Sequence, residues 1–200
     1  MCQIDKLNKE KKIINLVWAN VFGFLILIPI SIIYVVPYYL IWGKDWFSHN
    51  WWNNFHKIIS FNNISNVFLF LLIGIITHEL IHGFFWGIFA KKGIKSIRFG
   101  IIWKMLTPYC HCKEPLKIKH YIIGAIMPAI ILGLLPAIYA LIYGSMNWLL
   151  FGVFFTMAAA GDFLVINLIY KENMNDYVQD HPKEAGCYIY RNNKATHNNK

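Results

Sequence analysis

Four long apolar stretches separated by polar segments organise this chain. Residues 1–12 are polar and carry Lys6, Lys9, Lys11 and Lys12, and the run from Ile13 to Trp42 is then almost wholly apolar. That run exceeds the roughly 20 residues a helix needs to cross a bilayer. It is expected to tilt or bend, with Pro29 and Pro37 as the bend points. Residues 43–64 form an aromatic, weakly charged connection containing Trp46, Trp51 and Trp52, which fits a position in the interface. A second span is predicted from Ser65 to Ala90 and a third from about His120 to Tyr143. The short turn Gly144-Ser145-Met146-Asn147 leads into a fourth, Trp148 to Tyr170. Residues 171–200 read as a polar tail that frays at its end.

Between the second and third spans the period changes. Ile97, Phe99, Ile101, Trp103 and Met105 alternate with Arg98, Gly100, Ile102, Lys104 and Leu106, a period of two that predicts a strand. Thr107-Pro108 is expected to break it, and Tyr109 to Lys113 to return as a second strand. The predicted fold class is therefore an all-α integral membrane protein of about four transmembrane helices, with one short cytoplasmic β-hairpin between the second and third. The expected organisation is an N-terminal segment 1–12, a first span and external loop 13–64, a membrane core 65–170 with the hairpin within 94–119, and a tail 171–200.

Composition agrees with a membrane protein. The chain is 57% hydrophobic and 14% charged, with mean hydropathy +0.43, where soluble domains carry about a quarter charged residues. Tyr38, Tyr39, Trp42, Trp51, Trp52, Trp148 and Tyr170 stand where spans should end, as an interfacial belt does. The net charge of +9 comes from lysines dispersed over short connections. They read as topology signals and contacts to anionic lipid, not as a nucleic-acid surface. The N-terminus and residues 91–119 are strongly basic, whereas residues 43–64 hold only Lys44 and Lys57. The expected location is thus a bacterial cell membrane, multi-pass, with both termini cytoplasmic. Cys2, Cys110, Cys112 and Cys187 then face a reducing compartment and form no disulfide framework. No cleaved signal peptide is expected.

The candidate chemistry lies in the second span, where His78-Glu79-Leu80-Ile81-His82 is an H-E-x-x-H motif. On a helix, the two histidines fall one turn apart on one face and can bind a single Zn²⁺, with Glu79 beside them as general base. Imidazoles and a carboxylate are costly in hydrocarbon, so their presence points to function. Polar helix-packing glue is the competing explanation, but it leaves the clustering of three such groups in one turn unexplained.

Catalytic zinc takes three protein ligands and an open position, so one more is needed. Asp162 is the best candidate, as the only acidic residue in the third and fourth spans. His82 and Asp162 each lie eight residues before the end of their spans, about 12 Å in at ~1.5 Å per residue. Ala158-Ala159-Ala160-Gly161 precedes Asp162, and Gly83 and Gly87 follow the motif; such small residues let helices approach closely. His111, His120, Cys110 and Cys112 are the rivals, although Cys110-His111-Cys112 lacks the usual spacing of a zinc site. Thr77 and Asn167 are available as further polar groups. Pro128, Gly133 and Pro136 in the third span are expected either to loosen that helix or simply to be ordinary membrane-helix features.

An HExxH in one span, a β-like cytoplasmic segment and an Asp in a later span resemble the core of site-2 proteases, which are intramembrane zinc metalloproteases. HELIHG, YCHCKEPL, AAAGDF and the tail containing DHPKEAGC more closely resemble a bacterial family of zincin membrane peptidases, from about Leu71 to Tyr190. The resemblance implies zinc ligands at His78, His82 and Asp162, with Glu79 as the catalytic carboxylate. Phe163 follows Asp162 where site-2 proteases typically carry glycine.

The expected function is hydrolysis of peptide bonds in membrane or membrane-adjacent protein substrates. The alternative is a non-catalytic accessory, immunity or metal-handling membrane protein that keeps the same fold. An intact Glu79 favours catalysis, since a binding site needs only ligands.

Overall fold

A computed structural model describes residues 8–46, 61–102, 107–181 and 184–191. The loop around Trp51 and Trp52, the hairpin turn at 103–106, Cys2, Pro182 and the end of the tail lie outside the described residues.

The chain opens with strand β1 (Asn8–Ile13) and enters helices α1 (Leu16–Leu25) and α2 (Leu27–Ile30). A π-helical turn at Ser31–Val35 leads into α3 (Val36–Trp46). Pro37 has no N–H to donate and its ring crowds the carbonyl four residues back, and the backbone widens by a π turn just before it. The same device recurs where α5 (Ile118–Pro128) continues through a π-helical Ala129–Leu134 into α6 (Leu135–Tyr143), ahead of Pro136. The proline-bearing spans thus absorb the defect locally and stay helical. Helix α4 (Phe61–Phe89) carries no proline and runs unbroken for 29 residues. Val21–Gly43, Ser65–Phe89 and Ile118–Tyr143 are each long and apolar enough to cross a membrane. The predicted fourth span is a bent pair, α7 (Met146–Ala158) and α8 (Ala160–Ile169), meeting at 42°.

The expectation of an all-α protein with a lone hairpin does not hold: among the described residues six strands form two antiparallel sheets. The expected hairpin is present as β2 (Ile97–Ile102) and β3 (Thr107–Cys112), pairing Ile97 with Cys112 and Ile102 with Thr107. Pro108 does not break it but lies within β3 opposite Ile101. The second sheet has the order β1-β6-β5-β4, with β4 (Leu116–Lys117), β5 (Tyr177–Asp180) and β6 (Gly186–Arg191). Asn8–Ile13, Tyr177–Asp180 and Gly186–Arg191, which lie in the segments read above as polar flanks, are therefore structural strands. Their period-two signal is short, but Val178, Cys187 and Ile189 are fully buried. That burial repays the ordering of the tail. Gly186 has φ +149 and sits where a Cβ would strike the backbone of Lys12, so the β1–β6 ladder requires glycine there.

The chain divides into two units. The first gathers Met1–Val21, Leu80–Met127 and Gly161–Lys200. Its core contains Trp86, Ile118, Tyr121, Ile169, Val178 and Ile189. Glu172 accepts hydrogen bonds from Lys12 Nζ at 2.6 Å and from Arg191 Nε and Nη2, both at 2.9 Å. Lys12 Nζ also reaches the Leu168 carbonyl at 3.2 Å. These bonds tie both outer strands to the end of α8. The Arg191 guanidinium, and then Lys12, hold the Glu172 carboxyl down at about 2 against the opposing effect of burial.

The second unit gathers Phe22–Glu79 and Pro128–Ala160. Ile30, Tyr34, Tyr38, Ala137, Ala140 and Leu149 form its core. Polar tips within it find backbone partners: Tyr38 Oη donates to Gly144 O at 2.7 Å, Trp42 Nε1 to Leu141 O at 3.0 Å, and Thr156 Oγ1 to Gly152 O at 2.8 Å. A Cβ at Gly152 would stand 2.7 Å from the Gly133 carbonyl, so α7 packs backbone to backbone against the π turn.

Candidate metal centre

Helix α4 separates its two faces at helical spacing. Ile73, Ile76, Leu80, Phe84 and Ile88 are exposed, whereas Gly74, His78, His82, Trp86 and Ala90 are buried. The exposed stripe is wholly apolar, and the imidazoles point to the protein side. His78 and His82 are 7% and 3% exposed. Glu79, beside His78, is half-buried. Thr77 turns its hydroxyl back to the Ile73 carbonyl at 2.8 Å.

Asp162 comes from α8. The helix break at Ala159 places it in the first turn of α8, where the helix dipole favours a carboxylate. The continuous fourth span expected from the sequence would have given it no such position. Asp162 Oδ1 lies 3.3 Å from His82 Nε2. On its other edge the His82 ring places Nδ1 2.9 Å from the Gly124 carbonyl. A carbonyl only accepts, so Nδ1 carries the proton, which leaves Nε2, on the Asp162 side, as the nitrogen that would bind a metal. The ligand atoms of His78, His82 and Asp162 lie within 4.8 Å of one another, and theirs is the only such cluster of three or more His, Cys, Asp and Glu among the described residues.

This donor set fits zinc. Two donors at about 2.0–2.1 Å from a tetrahedral ion stand about 3.3 Å apart, the separation seen between His82 Nε2 and Asp162 Oδ1. Two imidazoles and one carboxylate leave one position of a tetrahedron for water, the arrangement of catalytic zinc sites.

The surroundings of His82 were not legible beforehand. Trp86 stacks on it with ring centroids 4.9 Å apart and planes 14° from parallel. Tyr121 also stacks on Trp86, at 4.9 Å and 22°, and its carbonyl accepts the Trp86 indole N–H at 3.0 Å. Gly124 lacks a side chain where Trp86 lies. Trp86 follows His82 by one turn, a signal available in the sequence; Tyr121 and Gly124 come from another helix and left none. Gly83 and Gly87 serve a purpose other than helix packing. A Cβ at Gly83 would sit 2.5 Å from Phe99 Cζ and 3.1 Å from Ile97 Cγ2, and one at Gly87 would sit 3.3 Å from Ile94 Cγ1. They seat the hairpin and the turn before it directly on α4. Gly161 meets nothing within 4 Å.

The rival ligands are engaged elsewhere. His111 Nδ1 lies 3.5 Å from Asp180 Oδ2, and His120 stacks on Phe89 at 4.2 Å. Cys112 donates its thiol to the Glu114 carbonyl at 3.4 Å and is 1% exposed. Burial pushes the Cys112 thiol up to about 11, the opposite of what a thiolate ligand needs. Cys110 is partly buried against the first unit's core, and Asn167 is exposed.

A family model described as "Putative zincin peptidase" matches residues 71–177. No curated protein and no solved structure matches the chain.

Proposed function

The chain belongs to the zincin peptidase family that its residues 71–177 match, and on that premise we propose that it is a membrane-embedded zinc metallopeptidase. Its substrates are membrane or membrane-adjacent proteins. The observation that carries this is the convergence of His78, His82 and Asp162 within 4.8 Å, beside Glu79 and on a helix whose outer stripe is apolar.

His78 Nε2 or Nδ1, His82 Nε2 and a carboxylate oxygen of Asp162 would hold the metal. Zinc bound there supplies Lewis acidity, which acidifies a coordinated water and polarises a peptide carbonyl. Glu79 takes the proton from the attacking water and delivers it to the leaving amine. The Gly124 carbonyl keeps the proton on His82 Nδ1 and so keeps Nε2 a ligand.

Four crossings with both termini cytoplasmic are part of the same reading. β1 precedes the first span and β6 follows the last, and the two are paired from Asn8–Arg191 to Ile13–Gly186. Paired strands share one side of a membrane, which favours an even number of crossings. Among the described residues three continuous helices would be odd, which supports taking the bent pair α7 and α8 as the fourth. The lysines of β1 and of residues 91–119 support placing that side in the cytoplasm.

The test is zinc per chain by elemental mass spectrometry on detergent-purified protein, together with cleavage of membrane-protein substrates in cells. We expect about one zinc, lost in Asp162→Ala. Glu79→Gln should keep the zinc and lose cleavage. Absence of zinc after metal-replete growth refutes the zinc centre, and cleavage that survives Glu79→Gln refutes the role of Glu79.

A further inference from the structure

The half-buried carboxylate of Asp180 takes no part in the chemistry above, yet three elements of the first unit converge on it. Strand β5 carries it, opposite Cys187 of β6. Tyr121 of α5 donates its phenol hydroxyl to Oδ1 at 2.5 Å. The Cys112 backbone N–H of β3 donates to Oδ2 at 3.1 Å, and His111 Nδ1 stands 3.5 Å from the same oxygen. The polar end of the Tyr121 side chain is therefore fixed by the tail strand, and its backbone carbonyl is fixed by the Trp86 indole at 3.0 Å.

Tyr121 is 4% exposed and Trp86 is 4% exposed, so neither ring has room to tilt without its neighbour. The Tyr121 ring lies flat on Trp86, and Trp86 lies nearly flat on His82. An unbroken column runs from Asp180 through two aromatic rings to a zinc-ligand imidazole. In its own plane the His82 ring meets the Gly124 carbonyl and faces Asp162, and Trp86 lies against the face of that ring.

We propose that Asp180 and Tyr121 are positioning residues for the zinc centre: the C-terminal strand, through the Tyr121–Trp86 column, holds His82 in its metal-binding orientation. The inference rests on the zinc reading of His78, His82 and Asp162. It gives the β1-β6-β5-β4 sheet a role in metal affinity in addition to its role in folding. Partners that orient a ligand imidazole from beyond the metal typically contribute 10- to 100-fold in affinity, and a column transmitting through two stacked rings falls at the lower end of that range.

The experiment measures Zn²⁺ affinity by chelator competition, and the visible absorption of the Co²⁺-loaded protein, on the full chain in detergent. Four variants are compared: Tyr121→Phe, Asp180→Ala, Asp180→Asn and the Tyr121→Phe/Asp180→Ala pair. Tyr121→Phe keeps the ring and loses only the tether, so its fold is preserved; it should bind zinc about tenfold more weakly and change the Co²⁺ spectrum. Asp180→Ala should match it, and the pair should be no weaker than Asp180→Ala alone, since both remove one link. Asp180→Asn keeps a carbonyl that accepts the phenol proton and should recover most of the affinity. Unchanged affinity and spectrum in Tyr121→Phe overturn the proposal, as do losses that multiply in the pair. If the unaltered protein takes up no zinc, the zinc centre falls with it; if it binds zinc and Tyr121→Phe binds equally, only the positioning role falls.

Discussion

The Trp86 indole occupies the place where a side chain at Gly124 would begin, and the Gly124 carbonyl accepts from His82, one turn before Trp86. One residue on α5 thus serves both His82 and the ring stacked on it. Gly124→Ala forces the indole, which is 4% exposed, aside within the core, at a cost of about 1–3 kcal/mol. The expected outcome is a lowered thermal midpoint together with weakened zinc retention, read by a melt and by metal content on the same sample. Retained zinc in a destabilised variant would mean that Trp86 does not govern His82.

Gly83 separates the seating of the hairpin from the binding of metal. Gly83→Val drives a branched side chain into Phe99 and Ile97, while the ligand atoms of His82 point elsewhere. Faster hydrogen exchange across Ile97–Cys112 pairs is expected, with zinc content unchanged. Protection equal to that of the unaltered protein would show that the hairpin is held without this contact.

Glu172 links stability to pH. Its folded value of about 2 lies below the ordinary 4.5, so its contribution is complete above about pH 4.5 and is lost as pH falls toward 2. Glu172→Gln should lower stability at neutral pH by about 2 kcal/mol. It should also flatten the acid limb of the stability curve, as measured by denaturation between pH 7 and 3. An unchanged acid limb would place the titration elsewhere.

Thiol chemistry should follow burial. Cys112 and Cys187 are 1% and 0% exposed, and burial holds their thiols up to about 11 and about 12. Both should resist alkylation by iodoacetamide at neutral pH until the protein is unfolded, with modification mapped by mass spectrometry. Cys110, which is partly exposed, should react before either of them. Rapid native-state labelling of Cys187 would show that the β5–β6 ladder opens readily.

Much of this was carried by local order along the chain. The apolar stretches, the period-two segment at Ile97–Ile101 and the four-residue spacing of His78 and His82 are each properties of neighbouring residues, and neighbouring residues suffice to dictate a helix, a strand or a shared face. Asp162 was legible too, because an isolated carboxylate in an apolar run has few other reasons to be there. What only the tertiary structure decided depends on residues far apart in sequence. Lys12 and Arg191 meet on Glu172, and Tyr121 meets Asp180 across 59 positions. The strands at the two ends look like polar flanks until they pair with each other, since a strand's hydrogen bonds lie in another segment and not in itself. The break at Ala159 belongs with these. Nothing in a run of alanines forbids a straight helix, and the bend that presents Asp162 is stabilised by the packing around it.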